Sequence, residues 1–121
     1  MKKSLLVVDD EPTHILMVSQ ILKDDYRIIA ATSGEQALER LASNAEIVAV
    51  LIDLNMNGLN GIETTLQIKA NPNTQNLPVL LLSTPSDQEL AEAFAAGIWD
   101  IVEKPIQPLL LKKRIYNSLK K

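Results

Sequence analysis

Apolar runs and helical patterns alternate five times along this chain. Leu5-Leu6-Val7-Val8, Ile47 to Ile52 and Val79 to Leu82 are unbroken aliphatic runs. Short runs of this kind, bounded by polar ends, suit strands buried on both faces. The pattern predicts strands over about 4–8, 27–31, 47–52, 79–83 and 99–103. Apolar positions at helical spacing predict helices over about 12–23, 34–43, 61–70, 87–96 and 107–119. Strands alternating with helices mean repeated βαβ units, hence an α/β fold with a parallel sheet covered on both faces.

Local signals agree. Pro12 suits the first turn of a helix. Ser33 with Gln36, Asn60 with Glu63 and Ser86 with Glu89 each read as an N-cap and its return partner. Gly97 follows Ala95-Ala96, where glycine stops a helix, and Asn57-Gly58 is a turn dipeptide. Leu111, Ile115 and Leu119 form a core stripe on the last helix, with Lys112, Lys113, Arg114, Lys120 and Lys121 as its solvated face. Met17 and Met56 read as gap-fillers beside the core. His14 reads as an exposed residue of the first helix, and Trp99 as either a lid on the core or an interface anchor.

A chain of 121 residues suits one domain, spanning 1–121. Its formal net charge of −3 supplies no electrostatic drive toward nucleic acid. The absence of cysteine excludes disulfides and thiolate metal sites, and it fits a reducing compartment such as the cytoplasm. Asp9-Asp10-Glu11 ends the first apolar run too early for a signal peptide. No run approaches the ~18 apolar residues of a membrane span, so no membrane partner is expected.

The chemistry gathers where the apolar runs end. Asp9-Asp10-Glu11 closes the first run, Asp53 the third, Ser83 and Thr84 the fourth, and Lys104 follows the fifth. In a parallel sheet these ends share one edge, and open α/β sheets bind their ligands there. Clustered carboxylates repel one another and call for a cation between them. Mg²⁺ prefers oxygen ligands and commonly joins one or two carboxylates to a phosphate. Asp10 and Asp53 are the natural direct ligands, with Asp9 holding a metal-bound water or orienting the others. A lysine and a hydroxyl nearby add positive charge and a donor for phosphoryl transfer, in which a carboxylate can be the nucleophile.

The pieces Val7-Val8-Asp9-Asp10-Glu11-Pro12, Asp53-Leu54-Asn55-Met56 with Gly61, Pro78-Val79 through Ser83-Thr84, and Gly97-Ile98-Trp99-Asp100 through Lys104-Pro105 follow one another in order. Together they resemble the receiver domain of two-component response regulators across essentially the whole chain. The resemblance implies a flavodoxin-like, doubly wound five-stranded sheet in the order 2-1-3-4-5 with five helices. It implies a phosphorylation-dependent switch rather than an enzyme. Asp53 would accept a phosphoryl group from a sensor histidine kinase or phosphotransfer protein, and a downstream protein or effector domain would read the change. Asp9 and Asp10 would form the acidic pocket, and the Asn55 carbonyl would complete the Mg²⁺ ligands. Ser83 and Lys104 would bind phosphoryl oxygens, and the Lys104-Pro105 bond would be cis.

Three positions depart from the family pattern. Ile101 stands where the family usually has Tyr or Phe, Thr84 where Ala or Gly is common, and Asn57 where Pro is frequent. Two other readings stay open. One is a pseudo-receiver that docks partners without phosphorylation, to which Ile101 lends support. The other is a phosphatase of the haloacid dehalogenase type. Its nucleophile would be Asp9, although the triple Asp9-Asp10-Glu11 lacks that family's second aspartate.

Overall fold

The computed structural model describes residues 2–120. Five strands, β1 (Lys3–Val8), β2 (Tyr26–Ala31), β3 (Ile47–Ile52), β4 (Val79–Leu82) and β5 (Asp100–Val102), alternate with five helices. The helices are α1 (Pro12–Leu22), α2 (Gly34–Ser43), α3 (Gly61–Ala70), α4 (Asp87–Ala96) and α5 (Pro108–Lys120). All pairings are parallel and the strand order is β2-β1-β3-β4-β5. This is the flavodoxin-like order that the resemblance implied.

Alternation within each strand divides the core in two. Leu6, Val8, Val50, Ile52, Val79 and Leu81 face one side, against Ala37 and Leu41 of α2, Ile62 and Ile68 of α3, and Ala93 and Ala96 of α4. Leu5, Val7, Ala49, Leu51, Leu80 and Leu82 face the other, against Ile15, Val18 and Leu22 of α1 and Leu111 and Ile115 of α5. Each fully buried Leu, Ile or Val contributes roughly 1.5–3 kcal/mol, so these faces define the sheet's register. Ile52 lies beside Val8 on one flank and Leu81 on the other, which brings the ends of β1, β3 and β4 level.

Caps set where the helices begin. Asn60 and Glu63 form a full capping box at α3, as do Ser86 and Glu89 at α4. At α2 the Ser33 hydroxyl accepts from the Gln36 N–H, but the Gln36 side chain turns back one residue further, to the Thr32 N–H. Gly97 ends α4 with φ 106°, a left-handed conformation that side chains disfavour.

Several finer expectations need correction. β4 stops at Leu82 rather than at 83, because β5 pairs only with Leu80 to Leu82. Met17 is 44% exposed rather than a gap-filler, whereas Met56 does pack against the core. Arg114 is not simply solvated: its guanidinium pairs with Asp100 at 2.8 Å and joins α5 to β5. Lys121, assigned to the same solvated face, lies outside the described residues. Among the described residues no helix is long and apolar enough to cross a membrane.

Candidate functional site

Between β1 and its two neighbours the chain winds in opposite directions, leaving a crevice at the C-terminal ends of β1 and β3. Asp9 and Asp10 directly follow β1, and Asp53 directly follows β3. Oxygens from the three carboxylates lie within 4.8 Å of one another. Asp9 and Asp53 are buried, at 5% and 8% exposure, and Asp10 is half-buried. Three hard anionic donors this close fit a divalent cation with oxygen preference, so the acidic triad can hold Mg²⁺.

Each carboxylate is anchored differently. Asp53 Oδ1 accepts from the Ser83 hydroxyl at 2.8 Å and meets Lys104 Nζ at 3.3 Å. Lys104 Nζ is also 3.9 Å from Asp9 Oδ2, so one ammonium neutralises two buried acids. Asp9 Oδ1 accepts from the Glu11 N–H at 3.0 Å. Asp10 Oδ2 accepts from the Asn57 N–H at 3.2 Å. Ser83 Oγ also accepts from the Leu54 N–H at 2.8 Å and lies 2.7 Å from the Leu82 carbonyl.

The backbone around Asp53 is held just as closely. The Asp53 N–H donates to the Val8 carbonyl at 3.0 Å, tying the ends of β3 and β1 together. Gly61 opens α3 directly beneath, and a Cβ there would stand 2.5 Å from the Asp53 carbonyl oxygen. Only glycine lets the helix approach the strand end this closely. The Lys104–Pro105 bond is cis, as the resemblance implied.

Asn55 is exposed, two residues past Asp53 on the loop between β3 and α3. Thr84 donates to the Lys104 carbonyl at 3.3 Å and links the loops after β4 and β5. Ile101 is partly buried and packs against the core. Trp99 is 40% exposed, and its backbone N–H donates to the Val79 carbonyl just ahead of β5.

Sequence reasoning missed His14. Rather than standing free on α1, its Nδ1 lies 3.1 Å from Asp9 Oδ2 and its Nε2 3.0 Å from Glu11 Oε2. The Glu11–His14 spacing of three residues at a helix start was a usable signal for the second contact. Nothing local signalled the first. The Asn57 and Leu54 N–H donors were also missed, because backbone groups leave no mark in residue type.

Comparison with known proteins agrees with this geometry. The sequence model of the response regulator receiver domain matches residues 5–116. A Vibrio cholerae protein named "Probable cyclic di-GMP phosphodiesterase" is 44% identical over 119 residues, covering 96% of this chain. The chain spans only 26% of that relative's length. A chemotaxis protein CheY homolog of Campylobacter jejuni is 28% identical, with 95% of this chain and 91% of that protein aligned. The crystal structure of a response-regulator candidate from Chloroflexus aurantiacus J-10-fl superposes with a TM-score of 0.93, at 30% identity and 100% coverage of both chains.

Proposed function

The chain belongs to the response regulator receiver domain family, and from that premise we propose that it is a phosphorylation-activated signalling switch built on Asp53. A carboxylate oxygen of Asp53 attacks the phosphorus of a phosphohistidine on a sensor histidine kinase or phosphotransfer protein. The P–N bond breaks, the imidazole leaves with the electron pair, and an acyl phosphate forms on Asp53. Asp9, Asp10, Asp53 and the Asn55 carbonyl would hold Mg²⁺, which would neutralise carboxylate and phosphoryl charge.

Lys104, already 3.3 Å from Asp53 Oδ1, pairs with one phosphoryl oxygen. Ser83 turns its single hydroxyl proton from Asp53 and the Leu82 carbonyl to another. That turn draws on the loop after β4 and alters the surface that partners read. The chain is a phosphoacceptor, with self-catalysed transfer and slow autodephosphorylation rather than turnover of a substrate. Residues 1–121 form a single receiver unit in this reading. It works in the cytoplasm, without direct contact to nucleic acid or membrane. Its output is a downstream protein or an effector domain, and in the Vibrio cholerae relative the matched segment is a minor part of a longer chain.

The observation that carries this reading is the meeting of Asp53 with Ser83, Lys104 and two further carboxylates at one sheet edge. Ile101 favours a second reading, a pseudo-receiver: it stands where the family usually has Tyr or Phe, and as an aliphatic side chain packed against the core it offers no aromatic ring to change place on phosphorylation. Incubation with Mg²⁺ and a small acyl phosphate, followed by intact-mass measurement and peptide mapping, separates them. Phosphorylation is expected on Asp53 and only with Mg²⁺. Asp53→Asn abolishes it and Asp10→Ala greatly reduces it. Equal labelling of Asp53→Asn and the natural sequence would sink the mechanism, and label on Asp9 would point to the phosphatase chemistry instead.

A further inference from the structure

Two asparagine-glycine pairs follow one another between β3 and α3, in the run Met56-Asn57-Gly58-Leu59-Asn60-Gly61-Ile62. Their neighbours are nearly alike, with Met or Leu before and Leu or Ile after. Any difference in their chemistry therefore has to come from the fold.

Asn60 is fastened on all sides. Its Oδ1 accepts from the Glu63 N–H at 2.8 Å, and its own N–H donates to Glu63 Oε1 at 2.9 Å. The Gly61 N–H donates to the Leu54 carbonyl at 2.9 Å, and Gly61 is buried against the Asp53 backbone. Asn57 and Gly58, by contrast, are both exposed. The Asn57 N–H is held by Asp10 at 3.2 Å. Among the described residues, however, neither the Asn57 side-chain amide nor the Gly58 N–H makes a hydrogen bond. Gly58 has φ 76° and no side chain to shield its nitrogen.

From this contrast we infer that Asn57 is a site of spontaneous deamidation and that Asn60 is protected from it. The Gly58 nitrogen gives its proton to solvent hydroxide and attacks Asn57 Cγ. A new N–C bond forms, the Cγ–Nδ2 bond breaks, and Nδ2 takes a proton from water and leaves as ammonia. Water then opens the cyclic imide. Attack at Cγ yields aspartate, and attack at the main-chain carbonyl yields isoaspartate, whose backbone runs on through Cβ and Cγ. In sum, asparagine and water become a carboxylate and ammonium, with nothing oxidised or reduced. Either product sets a new negative charge on the residue whose N–H touches Asp10. That charge opposes an incoming phosphodonor, a consequence that rests on the proposed phosphoacceptor role; the modification itself does not.

The test is incubation of the whole folded chain at mildly alkaline pH, with tandem mass spectrometry of its peptides to assign the mass gain to position 57 or 60. Asn57 should convert at least about tenfold faster than Asn60, because the α3 cap and the Gly61 hydrogen bond both have to open before Asn60 can react. In concentrated urea the two rates should converge. Equal rates in the folded chain would overturn the inference, as would an Asn57 that converts in urea and not in the folded chain. Asn57→Asp carries the charge of the aspartyl product. It should accept a phosphoryl group from a small acyl phosphate about twofold more slowly at low ionic strength, the effect of a unit charge acting through water over a side chain's length. Added salt should shrink the difference. Equal rates at low salt would refute the consequence for signalling. If neither protein is phosphorylated, the proposed function falls, while the deamidation site is still decided by mass alone.

Discussion

Removing one buried hydroxyl, with Ser83→Ala, should cost more than the loss of a single side-chain oxygen suggests. Ser83 is 3% exposed, and its Oγ stands 2.8 Å from the Leu54 N–H, 2.8 Å from Asp53 Oδ1 and 2.7 Å from the Leu82 carbonyl. A hydroxyl has one proton and two acceptor lone pairs. Oγ therefore accepts from Leu54 while its proton serves either Asp53 or Leu82. Asp53 keeps Lys104 at 3.3 Å after the substitution, so its charge stays compensated. The Leu54 N–H does not fare as well. Leu54 is 2% exposed, and alanine leaves its N–H facing a methyl group. An unsatisfied buried donor costs about 1–3 kcal/mol. With a urea dependence of about 1.5–2 kcal/mol per molar, the unfolding midpoint should fall by roughly 0.5–2 M. Thr84→Ala is the control. Thr84 is exposed and meets only the Lys104 carbonyl at 3.3 Å, so its loss should stay within about 0.5 kcal/mol. Urea melts followed by circular dichroism settle the comparison. Coincident midpoints for Ser83→Ala and Thr84→Ala would refute the claim that Ser83 satisfies the strand-end backbone.

Gly61→Ala should destabilise by about 1–3 kcal/mol, because its Cβ would lie 2.5 Å from the Asp53 carbonyl oxygen and 3.0 Å from Leu54 Cα, both backbone atoms that have to shift; a urea midpoint equal to that of the natural sequence counts against this packing. The Tyr26 phenol is raised above its ordinary value of 10.0, first by burial and then by the Asp25 carboxylate. The folded state thus holds that proton more tightly than the unfolded chain. Its contribution is fully present below pH 10 and is lost as pH rises from there through the folded value. Stability curves of Tyr26→Phe should lack that alkaline loss, and parallel curves for the two proteins would contradict it. Phosphoryl occupancy at Asp53 should move the loop from Thr84 to Ser86 together with α4, changing hydrogen exchange over 84–96 and the emission of Trp99. With Asp53 shown to be occupied, silence in both signals would rule out this route of output.

The element order was legible in the sequence because burial on both faces leaves a local mark. Continuous runs such as Val79 to Leu82 can only be interior strands between helical patterns. Parallel strands end on one edge, so the grouping of Asp10, Asp53, Ser83 and Lys104 followed from their positions after those runs. The order 2-1-3-4-5 did not follow from periodicity. It came from the resemblance of the motifs, and the pairing of β1 with both β2 and β3 agrees with it.

Tertiary structure decided how each acid is held. The Leu54 N–H reaches Ser83 across 29 residues, and the Asn57 N–H reaches Asp10 across 47. Such contacts depend on strand order, register and the path of a loop, and backbone donors are the same in every residue but proline. His14 shows the same division within a single side chain. Its place on α1 and its nearness to Glu11 follow from helical spacing, which the chain encodes locally. Its contact with Asp9 arises only because the first turn of α1 folds back over the end of β1, and no spacing rule contains that geometry.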